Sequence, residues 1–204
     1  MIGLLLKDIY VLTKQLKIAV IILGFYAVLS YTDNNTSMFI YMAVMFGFFL
    51  PLTTIAYDDR CEWNKLALTM PIRTKSLVTS KYLLGIIGIA MGALLFLILS
   101  FLINTTIDTK SLEAVKAALC IGIALLSIYL PICFKFGVEK SRFIIIAIFM
   151  LPTILFSILA KGNYIKEPSN EQINLIIAIA PILVFCILIV SITISISIMK
   201  RKVY

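Results

Sequence analysis

The chain has 204 residues, 62% of them hydrophobic, a mean hydropathy of +1.09 and a formal net charge of +8. Soluble domains lie nearer about 45–50% apolar, so this composition excludes an ordinary water-soluble fold. The positive charge lies in short loops and at the ends of apolar runs, with no RNA- or DNA-binding motif, so it reads as membrane topology and not as nucleic-acid binding.

A hydrocarbon core of about 30 Å takes roughly twenty residues of helix at ~1.5 Å rise. Several apolar runs approach that length, and the alternating strands of a barrel are not seen. Because backbone groups in lipid must bond internally, the expectation is an all-α membrane protein. The first stretch, MIGLLLKDIYVLTKQLK (1–17), is amphipathic at helical period: Leu5, Ile9, Leu12 and Leu16 share one face, Lys7, Lys14 and Lys17 another. It is expected as an interfacial helix with its lysines near anionic headgroups, the alternative being the start of a long first span.

Six spans are expected in order: 18–31, 38–56, 83–103, 114–134, 143–160 and within 172–198. Polar turns at 32–37, 104–113 and 161–171 join them on one side; the segment 57–82 and the basic loop 135–142 join them on the other. Fourteen of the eighteen basic residues fall on the side of the termini; Lys110, Lys116, Lys161 and Lys166 fall opposite. That excess places both termini and the central segment in the cytoplasm. No cleavable signal is evident, since the first apolar run lacks a small-residue exit. No second domain is expected, so residues 1–204 read as a single transmembrane unit.

The chain has no His and no CxxC spacing, which argues against a zinc site or a disulfide framework; its four Cys read as small apolar fillers. There is no GxxxxGK[ST], HExxH or GxSxG. No Asp, Glu or Arg sits at the middle of an expected span, which argues against intrinsic catalysis and against an ion relay. No catalytic residue, metal ligand or cofactor site is expected in this chain. Gly88 and Gly92 form a GxxxG that permits close helix approach, within one chain or between two.

The longest polar interruption is YDDRCEWNKLALTMPIRTKSLVTSKY (57–82), with the only Trp. Adjacent spans need only a few connecting residues. The length, the acidic edge of Asp58, Asp59 and Glu62, and the apolar anchor of Trp63, Leu66 and Leu68 therefore suggest a partner-binding segment. Pro71 suits a turn or helix start, so two short helices broken there are expected along the cytoplasmic face. The plainer reading is a solvated loop with snorkelling lysines.

With Leu83 added, this segment resembles the first cytoplasmic loop of small six-span ABC exporter permeases of type-two architecture: an acidic pair, an aromatic, a Leu/Met-Pro step, basic residues, and Lys81-Tyr82 entering the third span. The nearest group by resemblance is the permeases of phenol-soluble-modulin and related peptide-toxin exporters. The resemblance implies a homo- or heterodimer of permeases with two ATP-binding cassette ATPase subunits, ATP and Mg being held by the ATPases. It also implies that residues 58–81 are the coupling segment, with Asp58, Asp59, Glu62, Trp63, Leu66, Leu68, Pro71, Arg73 and Lys75 contacting the ATPase. The expected function is the membrane subunit of an ATP-driven exporter of amphipathic peptides or other hydrophobic substrates. The alternative is a non-transporting membrane immunity or assembly protein.

Overall fold

A computed structural model of the chain describes residues 2–32, 37–63, 66–67, 73–104, 109–161 and 170–201. Six long helices occupy them: α1 (Ile2–Thr32), α2 (Ser37–Arg60), α3 (Thr74–Asn104), α4 (Thr109–Phe136), α5 (Val138–Lys161) and α6 (Asn170–Arg201). Five carry stretches long and apolar enough to cross a membrane: Gln15–Thr32, Met38–Arg60, Thr74–Leu102, Leu112–Phe136 and Ile179–Arg201. α5 covers the remaining expected span, and most side chains of its second half lie outside the described ones.

The first helix differs from expectation. No separate interfacial helix precedes a short span; α1 runs unbroken from Ile2 to Thr32. Its buried face is also rotated from the expected apolar stripe. Leu4, Asp8, Leu12 and Ala19 are buried, whereas Ile9 and Leu16 are exposed. The inward stripe still has helical spacing, but it contains a carboxylate.

The core lies where α2, α3 and α4 meet, around Ile40, Val44, Ile89, Phe96, Leu126 and Leu130. α1 packs on α2, α5 on α4, and α6 on both α4 and α3. Glycine permits the closest approach. A Cβ built on Gly47 would run into the Gly88 carbonyl carbon, and one on Gly92 would stand 2.6 Å from the Ala43 carbonyl oxygen. The GxxxG of α3 thus meets a small-residue seam on α2 of the same chain. Pro51 is fully buried within α2.

Large apolar side chains cover much of the outer surface, among them Val20, Ile21, Phe25, Ile98, Phe101 and Phe185. Such a surface suits hydrocarbon and not water. Inside, hydroxyls close short networks. Ser191 donates to the Ser127 carbonyl, and the Tyr82 hydroxyl lies 2.6 Å from Ser191 Oγ and 2.8 Å from Ser195 Oγ. Since each hydroxyl has one proton, the order is Ser195 to Tyr82 to Ser191 to Ser127, linking α6, α3 and α4.

Two breaks shape one end of the bundle. α4 stops at Gly137, whose φ of +79° is open to glycine; its N–H bonds to the Cys133 carbonyl at 2.9 Å. α2 ends in a turn where Cys61 N–H bonds to the Tyr57 carbonyl at 3.0 Å and Glu62 takes a φ of +48°. That left-handed residue is uncommon outside glycine.

Candidate functional site

The turn at Glu62 carries the chain from the end of α2 back beneath the start of α1. Trp63 packs there against a small separate apolar cluster of Leu4, Ala67 and Leu77. Lys7 lies over the indole, its Nζ 4.4 Å from the ring centroid. A desolvated cation–π contact of this kind contributes up to ~2 kcal/mol.

Beside it, four charges meet. Lys81 Nζ stands 2.8 Å from Asp8 Oδ1 and 2.6 Å from Asp58 Oδ2. Lys7 Nζ stands 2.6 Å from Asp58 Oδ1 and 3.3 Å from Asp8 Oδ1. Two carboxylates and two ammonium groups alternate and cancel. Three of the side chains are nearly sealed from solvent, Asp8 at 1%, Lys81 at 7% and Asp58 at 9% exposed, while Lys7 is 25% exposed. Burying any of these charges alone would cost several kcal/mol; mutual pairing makes it tolerable. Among the described residues, neither Asp8 Oδ2 nor Trp63 Nε1 has a hydrogen-bond partner. The cluster joins three elements: the first turns of α1, the last turn of α2 and the first turns of α3.

Asp59 points elsewhere. Its Oδ2 accepts from the Val138 N–H at 3.3 Å, placing a carboxylate at the N-terminus of α5, where exposed amides and the helix dipole favour it. The end of α2 therefore grips both neighbours, α1 and α3 through Asp58 and α5 through Asp59.

The residues expected to bind a partner separate into two sets. Asp58 is buried in the charge cluster and Trp63 is half-buried beneath Lys7. Glu62, Leu66, Arg73 and Lys75 lie at the surface. The Arg73 carbonyl accepts the Ser76 N–H at 2.8 Å and so starts α3; the second short helix expected after Pro71 is the opening of this long helix. Leu68 and Pro71 lie outside the described residues. Gly88 and Gly92 are remote from this cluster, in the seam between α3 and α2.

Asp8, Lys7 and Lys81 did not figure as site residues in the sequence reading. A signal existed. Asp8 is the sole acid in residues 1–32, and it shares its helical face with Leu4 and Leu12. An acid on the apolar face of a basic helix calls for a buried cation.

On the opposite side of α2 lies a cavity of about 720 Å³. It follows one face of α2 from Met45 to Arg60, with α4 and α5 as its other walls.

An all-helical bundle with an apolar outer surface and five helices long and apolar enough to cross a bilayer is built as a membrane-embedded protein. The chain belongs to the ABC-2 transporter family: the model for "ABC-2 family transporter protein" matches residues 3–200. It is a multi-pass transmembrane subunit of an ABC transporter, a kind of subunit that works with an ATPase. No curated protein and no solved structure matches it.

Proposed function

We propose that the chain is the permease of an ATP-driven exporter, one six-span unit over 1–204, with both termini and the segment 58–81 in the cytoplasm. Two permease subunits and two ATPase subunits would form the transporter, with ATP hydrolysis confined to the ATPases. The substrates proposed are amphipathic peptides or other hydrophobic molecules, in keeping with the resemblance to phenol-soluble-modulin exporters.

The observation that supports coupling is the charge cluster. Asp58 and Trp63 do not face outward; they tie the segment to α1 through Lys7 and to α3 through Lys81. Force applied to the exposed Glu62, Leu66, Arg73 and Lys75 would pass through these contacts into both helices. The inward residues transmit and the outward ones dock. Docking surfaces draw most of their energy from a few residues. Leu66→Asp with Arg73→Glu is therefore expected to abolish pull-down of the partner ATPase, while the permease stays inserted and folded. Unchanged association of the correctly inserted variant would overturn the docking assignment.

A further inference from the structure

The cavity beside α2 carries charge at one end only. Met45, Phe48, Phe49, Leu52, Thr53, Ala56, Tyr57 and Arg60 recur on it at three- and four-residue steps, so it runs down one face of the helix. From Met45 to Arg60 that path measures about 22 Å at helical rise. One leaflet of hydrocarbon is about 15 Å, and its headgroup layer adds about 5–7 Å. The cavity thus extends from mid-helix to the end of the bundle that carries the central segment. Its deep part is apolar, bounded by Leu125 and Ile128 of α4 and Ile145 and Ile146 of α5. Its mouth holds Arg60 and Arg142, and Gln15 of α1 also lines it.

No acidic residue lines it among the described residues. Neither arginine has an ion-pair partner among them either. Arginine stays charged and matches phosphate or carboxylate oxygens with paired donors. Phe49, Tyr57 and Ile146 are partly exposed, so the cavity opens sideways toward lipid. Its volume falls in the range of about 300–1,000 Å³ typical of small-ligand sites. An amphipathic helix is about 10–12 Å across, and its several turns would overfill the space.

We propose that this cavity binds a single acid-headed lipid amphiphile of the cytoplasmic leaflet, its chain against α2, α4 and α5 and its anionic head between Arg60 and Arg142. The cytoplasmic leaflet presents anionic headgroups. The site deepens the transporter reading by naming a substrate class. It rests on that reading for the transport role, though not for the binding.

The probes are lysophosphatidylglycerol and lysophosphatidylcholine with the same photoactivatable acyl chain, added to the full-length permease in neutral detergent without ATPase. Peptide mapping reads the labelled residues. The anionic probe is expected to label 45–57 and 125–129 about tenfold more than the zwitterionic one, the charge-assisted head contacts being the difference. Arg60→Gln with Arg142→Gln should reduce its labelling to the zwitterionic level without changing the melting temperature. Equal labelling by both probes, or a preference that survives the double variant, would overturn the site. So would cross-links through Phe49 to a second copy, since a partner permease would then fill the cavity. If the double variant does not insert, Ile128→Trp fills the apolar arm and must suppress labelling by both probes; unchanged labelling again overturns it. Since no ATPase is present, failure here leaves the coupling reading standing, and failure of the pull-down leaves this site standing.

Discussion

Lys81 Nζ lies 2.8 Å from Asp8 Oδ1, joining the first turns of α3 to the first turns of α1 across 73 positions of sequence. Asp58 bridges to the same ammonium from α2 at 2.6 Å. One lysine therefore sets the relative position of three helices at the end of the bundle where the coupling segment emerges.

Loss of that lysine alone leaves two buried carboxylates with only Lys7 between them. Lys81→Met is expected to cost about 3–5 kcal/mol, the usual penalty for an uncompensated buried charge. Asp8→Asn with Lys81→Met leaves the Lys7–Asp58 pair neutral and should recover most of the loss. Thermal unfolding in detergent measures both, and equal stability of the single and double variants would show that the pairing is not what holds the cluster.

The seam between α2 and α3 has no space for side chains. Gly88→Leu would press on Leu50 and on the Gly47 backbone, where a bare Cβ already comes within 2.9 Å of the carbonyl oxygen. A Cβ at Gly24 meets nothing within 4 Å, so Gly24→Leu serves as the control. The first substitution is expected to lower the melting temperature sharply, the second to leave it unchanged. If both are silent, the two helices do not pack as described.

Topology is testable through a native thiol. Cys61 is exposed just past the end of α2, whereas Cys120, Cys133 and Cys186 lie within spans. With the coupling segment in the cytoplasm, a membrane-impermeant maleimide should miss Cys61 in intact cells and modify it in inside-out vesicles. Modification from outside the cell would reverse the orientation, and with it the roles assigned to the two sets of loops.

Much of the architecture was legible in the sequence because the relevant physics is local. Unbroken apolar runs near the thickness of hydrocarbon demand helices whatever their neighbours are. Small residues four apart announced a close contact, though not its partner; only the tertiary structure set Gly88 and Gly92 against Gly47 and Ala43. The polar segment after α2 stood out by its length and its Trp, but the directions of its side chains did not. Asp58, Asp59 and Trp63 read as one outward surface; folding sends Asp58 and Trp63 under α1 and Asp59 to the N-terminus of α5. The greatest departure is α1, where Lys7, Lys14 and Lys17 on one face looked like headgroup chemistry. Helical periodicity ranks faces by hydrophobicity, and on that scale Asp8 belongs outside. It is inside because Lys81 is there to meet it; a lone acid on the face of Leu4 and Leu12 signals that a cation is needed, but which one, 73 positions away, is decided only once the helices are packed.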